Sequence, residues 1–134
     1  MLICRFSGPQ GPDQLMAPVA RVRIVQGALY ANDEGKAAGV YHRDHWEFRG
    51  QAFTRMTVEG PLTATLHDAD GGADLHCASY RKVWFADGAL QAPSGTIATL
   101  DGGTQLWRDA VTDRRAREVR LELRTTRTKL RPGP

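Results

Sequence analysis

Two histidines and an aspartate lie close together in the segment His42-Arg43-Asp44-His45. Imidazole and carboxylate groups bind divalent metals such as zinc, but a zinc site needs three or four converging ligands. The two cysteines, Cys4 and Cys77, do not form a CxxC pair, and no ligand pair recurs at a fixed spacing. A polar, solvent-exposed turn explains the same residues. His42, Asp44 and His45 are therefore our candidate metal ligands, and we predict no cofactor apart from this option of a divalent metal.

Three further carboxylates, Asp68, Asp70 and Asp74, surround the pair Gly71-Gly72. Oxygen ligands on a glycine-containing loop suit calcium, but the glutamate that completes a calcium loop does not follow at the right distance. The turn preferences of Asp and Gly explain this segment without a ligand. We therefore interpret it as a polar hairpin loop.

Catalytic chemistry has little support in the sequence. Ser79 follows His76 and Cys77, but adjacent side chains on a strand point to opposite faces, so His76 and Cys77 would not act together. The chain has no nucleophile elbow, no phosphate-binding glycine loop followed by a helix, and no dinucleotide-binding fingerprint. We therefore expect that the protein is not an enzyme. The open alternative is an active site assembled from residues that are far apart in the sequence.

Basic residues are concentrated towards the end of the chain. After Trp107 there are nine Lys or Arg residues and four Asp or Glu residues, although the whole chain has a net charge of only +3. Alternate arginines on one strand face would suit phosphate recognition, so Arg115, Arg117 and Arg120 are candidate contact residues. Two glutamates interrupt that face, and no aromatic side chain for base stacking follows Trp107. Nucleic acid is therefore a less favoured partner than protein.

The three tryptophans, Trp46, Trp84 and Trp107, are candidate contacts with a ligand or a partner. In a closed barrel they could line a cavity for a small apolar ligand, or they could fill the core. Trp84 is followed by Phe85, so in a strand one of these two rings faces outward. If the outward ring is that of Trp84, it marks a contact patch.

Apolar and polar residues alternate along much of the chain, which predicts strands with one buried and one solvated face. The clearest stretches are 2–6, 21–24, 62–67 and 118–124. Turn signals recur about every 8–12 residues, a spacing typical of sandwiches and barrels. The strongest is Asp87-Gly88, because a type I′ hairpin turn needs positive φ at both central residues. We predict an all-β fold, an antiparallel sandwich or flattened barrel of about 10–12 short strands.

The segment Gly27–Ala31 is similar to Gly88–Ala92, 61 positions later. At the same offset Val22 aligns with Val83 and Trp46 aligns with Trp107. The matched positions are mostly apolar, small or turn residues, so a repeat would concern the scaffold. One interpretation is an internal repeat, 1–61 and 62–122, with two pseudo-symmetric halves. The other is two unrelated hairpins with common turn chemistry.

Length and composition are typical of one globular domain, with 41% hydrophobic and 25% charged residues among 134. We predict a single all-β domain over 1–124 and a flexible, basic C-terminal tail over 125–134. No apolar run is long enough to cross a membrane, and the first residues lack the features of a signal peptide. These observations favour a cytoplasmic location and free, buried cysteines.

Together these features favour a non-catalytic binding or assembly module that acts through protein–protein contacts. Its partner would be another protein or a second copy of itself, met by strand edges or exposed aromatic side chains. The first alternative is a β-barrel that binds a small ligand in an aromatic-lined cavity. The second is a metal-dependent or hydrolytic enzyme.

Overall fold

The computed structural model describes residues 1–102 and 104–124, and the predicted tail over 125–134 lies outside them. The described residues form strands and no helix, which confirms the all-β prediction. Thirteen strands are present in this part of the chain, slightly more than expected. They are β1 (Ile3–Ser7), β2 (Gln14–Leu15), β3 (Arg21–Val25), β4 (Ala28–Ala31), β5 (Gly39–His42), β6 (His45–Phe48), β7 (Gln51–Phe53), β8 (Arg55–Asp68), β9 (His76–Ala86), β10 (Ala89–Ala92), β11 (Gly95–Asp101), β12 (Leu106–Asp109) and β13 (Arg115–Leu123). Over the same residues, no helix is long and apolar enough to span a membrane.

All of these strands belong to one antiparallel sheet in the order β2-β1-β8-β9-β10-β11-β12-β13-β3-β4-β5-β6-β7. Because β8 also pairs with β13, the strands β8 to β13 close into a six-stranded barrel. A series of hairpins from β3 to β7 continues from β13, and β1 and β2 continue from the first half of β8. The predicted barrel is therefore confirmed, with additional strands outside its closed part.

The long strand β8 changes neighbours halfway along, at Gly60-Pro61. Its residues 55–59 pair with β1, whereas residues 62–68 pair with β13. Proline has no amide hydrogen to give to a ladder, so it is tolerated where pairing is interrupted. Gly60 has a φ of 135°, and a Cβ added there would lie 3.0 Å from Cδ2 of Leu2. These two residues form a bulge that allows one strand to belong both to the barrel and to the sheet beside it.

Two tight turns follow the chemistry that the sequence predicts. Asp87 and Gly88 have φ values of 55° and 74°, and the flanking residues Ala86 and Ala89 pair across the hairpin. The turn Gln26-Gly27 is similar, with φ values of 52° and 82°. The predicted type I′ hairpin is confirmed. The two turns lie in the segments that the proposed repeat aligns, while duplication itself stays a prediction.

Aromatic side chains fill the centre of the fold. Phe85 packs edge-on against Tyr41, Trp46 and Trp107, with ring centroids 4.5, 5.3 and 5.1 Å away. Phe6 extends the cluster, with its ring 5.7 Å from that of Trp46. The indole N–H of Trp46 donates a hydrogen bond to the Phe85 carbonyl at 3.3 Å. Edge-to-face packing of this kind adds to the stabilisation that burial of the rings provides.

Candidate binding surface around Trp84

Trp84 lies in the second half of β9, between two residues with fully buried side chains. Val83 and Phe85 are 0% exposed and point into the fold. Because side chains alternate along a strand, the indole of Trp84 lies on the outer side of the sheet, where it is half-buried. Of the two neighbouring rings, the outward one is therefore that of Trp84.

Two cations flank the Trp84 ring. The guanidinium carbon of Arg55 is 5.5 Å from the ring centroid, and Nζ of Lys82 is 5.9 Å from it. Lys82 precedes Trp84 on β9, whereas Arg55 pairs with Ala86, which follows it. The cations therefore approach the indole from opposite directions along the strand. Each such contact is worth about 0.5–1 kcal/mol at an exposed site, so the indole restricts both cations.

Neighbouring strands extend this surface on both sides of Trp84. Thr57 pairs with Trp84 on one side and with Arg5 on the other, and it is only 7% exposed although it faces outward. We define the Trp84 face as the outward side chains of β2, β1, the first half of β8, the second half of β9, and β10. Apart from the small residues Ser7, Ala86 and Ala89, they are Ile3, Arg5, Leu15, Arg55, Thr57, Glu59, Lys82, Trp84 and Gln91.

The Trp84 face combines unpaired charge with exposed apolar side chains. It carries three cations, Arg5, Arg55 and Lys82, and one carboxylate, Glu59. None of these four groups forms an ion pair within the residues that the structure describes. The two aliphatic residues of the face, on β1 and β2, are 39% and 49% exposed. Exposed apolar groups clustered at one place on a surface are typical of a contact site.

The other two candidate tryptophans lie in the core. Trp46 and Trp107 are both 0% exposed, and their rings pack against Phe85. A partner outside the fold therefore cannot touch either indole. Their burial follows from strand alternation on β6 and β12, which places both on inward positions.

A cleft of about 320 Å³ lies where several hairpin turns meet. It is lined by Tyr41, Arg43, Gly88, Leu100, Gly102 and Gln105. Burial raises the pKa of Tyr41, and the nearby carboxylates of Asp87 and Asp44 add to the rise. The proposed alternative of a ligand-binding barrel thus has a cleft available, but Tyr41 is its one aromatic wall among the described residues.

The three candidate arginines of β13 have different environments. A bulge at Arg117 interrupts the pairing of β13 with β8, and Arg117 is exposed. Arg115 lies 3.9 Å from Asp101, and Arg120 lies 3.1 Å from Glu118. Two of the three guanidinium groups are thus already next to carboxylates. This leaves less free charge for a phosphate backbone than the sequence pattern suggested.

The predicted metal ligands lie at the exposed end of the β5–β6 hairpin. Nε2 of His42 is 2.9 Å from Oε1 of Glu47, and Nδ1 of His45 is 2.8 Å from Oδ1 of Asp44. The hydrogen bond with His45 lowers the pKa of Asp44. Across the described residues, no group of three or more His, Cys, Asp or Glu side chains is arranged to hold a metal ion. The metal prediction therefore has no support from this geometry.

The acidic loop after β8 pairs with basic side chains. Oδ2 of Asp68 accepts a hydrogen bond from Arg114 at 2.8 Å, and Oδ1 of Asp74 is 2.9 Å from Nδ1 of His67. The backbone N–H of Asp70 donates to Oδ1 of Asp68. These contacts fit the interpretation of this segment as a polar turn.

The structure also brings together a polar cluster that sequence reasoning missed. The Tyr80 hydroxyl is 3.1 Å from Nε2 of His76, and Oδ1 of Asp109, from β12, is 4.0 Å from Nδ1 of His76. The Asp109 side chain is 1% exposed. Burial raises the pKa of Tyr80, and the charge of Asp109 adds to the rise. The spacing of His76 and Tyr80 indicates that they share a strand face. The approach of Asp109 on β12 to His76 depends on the closure of the whole barrel.

Both cysteines are free, as predicted, but only Cys4 is buried. Cys77 is exposed because it alternates with the inward residue His76 on β9. Burial raises the pKa of the Cys4 thiol to about 12. Since the thiolate is the reactive form, we expect Cys77 to react with a disulfide reagent at least ~100-fold faster than Cys4 in the native protein. A thiol titration at pH 8 should show one fast thiol, and two after unfolding; two fast thiols in the native state would contradict the placement of Cys4.

Comparison of the chain with known protein families, curated proteins and solved structures found no significant match.

Proposed function

We propose that this protein is a non-catalytic binding module that contacts a partner protein through the Trp84 face. The observation that carries the proposal is the outward indole of Trp84 between two cations, Arg55 and Lys82. Tryptophan and arginine side chains contribute a large share of the binding energy in protein interfaces. A surface with both types, next to exposed apolar groups, has the composition of such an interface.

Charge indicates the chemistry of the partner surface. The Trp84 face has three cations and one carboxylate, so an acidic surface complements it. Because the indole restricts two of the cations, less conformational entropy is lost when a partner carboxylate binds them. The exposed aliphatic residues of β1 and β2 can bury apolar groups of the same partner.

A protein fits this face better than a nucleic acid. Single-stranded nucleic acids bind by stacking bases on aromatic rings. Here Arg55 and Lys82 both lie over the Trp84 ring, 5.5 and 5.9 Å from its centroid, so a base that stacks on this ring has to compete with them. Acidic side chains can reach the outer side of both cations without displacing them.

Charge reversal tests this proposal with poly-L-glutamate as the acidic probe. We expect the double variant Arg55→Glu/Lys82→Glu to bind the probe about tenfold or more weakly than the wild type, since it replaces two attractive charges with repulsive ones. Binding is measured by isothermal titration calorimetry at low and moderate salt.

The matched control is Lys36→Glu/Arg117→Glu, which also reverses two exposed cations, one in the loop between β4 and β5 and one on β13. It should change the affinity by less than about twofold, because surface charges distant from a contact are screened. Equal losses of affinity in the control and in the double variant would show that net charge alone attracts the probe. The Trp84 face would then not be the binding site.

A further inference from the structure

The first half of β9 has an edge that no other strand covers. β9 pairs with β8 from His76 to Ala86, but β10 covers the opposite edge only from Trp84 to Ala86. Among the described strands, none pairs with residues 76–82 along that opposite edge. The N–H and C=O groups of an antiparallel strand point alternately to its two edges. About half of the backbone groups of this segment are therefore available to a further strand.

This edge is held in an extended conformation by the polar cluster described above. His76 and Tyr80 lie on the inner side with their rings parallel and 6.1 Å apart, and Asp109 of β12 lies beside His76. The alternation along β9 changes phase opposite the Gly60-Pro61 bulge of β8, so in this first half Cys77, Ser79 and Arg81 are the exposed side chains. A strand that is already extended loses little entropy when another strand pairs with it.

We propose that an extended acidic segment of the partner adds to this edge as a further β-strand. This inference rests on the proposed function, because residues 76–82 lead directly into Trp84 on the same strand. Backbone hydrogen bonds would supply affinity along the edge, and the Trp84 face would receive the side chains of the same segment. Strand addition to an exposed sheet edge is a general mode of peptide recognition.

Charge selects the occupant of the edge. Arg81 and Lys82 are exposed and form no ion pair within the described part of the chain. A second copy of this chain would bring the same two cations to the contact, and cations on an edge strand oppose pairing between copies. A segment with glutamate or aspartate at alternate positions meets them with opposite charge.

Synthetic peptides of alternating sequence test strand addition on the full-length protein. The probe is (Glu-Val)4, and two analogues carry backbone N-methyl groups on all Glu residues or on all Val residues. An added strand uses one of its two edges, so we expect one analogue to bind at least tenfold more weakly and the other to keep its affinity. The control peptide (Lys-Val)4 should not bind. Affinity is measured by calorimetry, and hydrogen exchange should show slower exchange of amides within residues 76–82 when (Glu-Val)4 is bound.

Several outcomes would overturn this inference. Equal affinity of both N-methylated analogues would show that side chains alone make the contact, which leaves the proposed function standing. A further outcome is that (Glu-Val)4 fails to bind while the binding of poly-L-glutamate still depends on Arg55 and Lys82. Strand addition would then be wrong, and the proposed function would stand. Protection of residues 76–82 by self-association, without any peptide, would assign the edge to a second copy of the chain.

Discussion

The variant Phe85→Ala is expected to lower the free energy of unfolding by about 3–5 kcal/mol, the usual range for removing a buried aromatic ring. Phe85 is 0% exposed and lies at the centre of the aromatic cluster. Its loss would leave a cavity beside Tyr41, Trp46 and Trp107, whose rings all pack against it. The rigid strands around this cavity could close it only in part. The effect is measured by urea denaturation followed by circular dichroism.

The neighbouring variant Trp84→Ala provides the matched control. Its side chain lies on the outer side of the sheet, so we expect a smaller loss of about 1–2 kcal/mol, mainly from two cation–π contacts of about 0.5–1 kcal/mol each. Similar losses for the two variants, or a larger loss for Trp84→Ala, would show that the inward and outward assignments on β9 are reversed. The Trp84 face would then not exist as described.

A second large effect is expected at the turn after β12. Oδ2 of Asp109 accepts hydrogen bonds from the backbone N–H of Val111 at 3.2 Å and from the backbone N–H and hydroxyl of Thr112 at 2.6 and 2.8 Å. Removing a buried acceptor leaves its donors unsatisfied. The variant Asp109→Ala should therefore lose about 2–4 kcal/mol of stability in the same urea titration.

Asp113→Asn is the control for this prediction, because it removes a carboxylate charge from the same turn and keeps a side chain that tolerates the φ of 60° at this position. Asp113 is 75% exposed and contacts Arg108 at 3.2 Å. Exposed ion pairs of this kind contribute less than about 1 kcal/mol. Asp109→Asn keeps an oxygen that can accept hydrogen bonds, so its stability should fall between those of Asp109→Ala and the wild type. Equal stability of Asp109→Ala and Asp113→Asn would contradict the role of Asp109 in holding the turn.

The parts of the fold that depend on local patterns could be predicted from the sequence. Alternation placed Leu62, Ala64 and Leu66 on an inward face, and all three are 0% exposed. The dipeptide Asp87-Gly88 identified a hairpin because its φ requirement is local. The pair Trp84-Phe85 allowed only one ring to point inward, which reduced the candidate surface to two alternatives.

The remaining features depend on long-range pairing, which no local pattern records. The change of neighbours along β8 arises because β1 and β13 meet the same strand from distant parts of the chain. The bulge at Arg117 appears only when β13 pairs with β8. The alternation of arginines therefore predicted a more continuous basic face than the strand has. The approach of Asp109 to His76 depends on closure of the barrel. The unpaired edge of β9 could not be foreseen either, since it depends on where β10 ends relative to β9.

The central claim, that the Trp84 face binds a partner protein, is tested most directly by photo-crosslinking in the cells that produce this protein. A photoreactive amino acid replaces Gln91, which pairs with Trp84 on the same face, and a parallel variant carries it at Lys36. We predict a discrete protein adduct at position 91 that is absent at position 36 and that disappears in the Arg55→Glu/Lys82→Glu background. The same adducts at both positions, or an adduct at position 91 that survives the charge reversal, would contradict the claim.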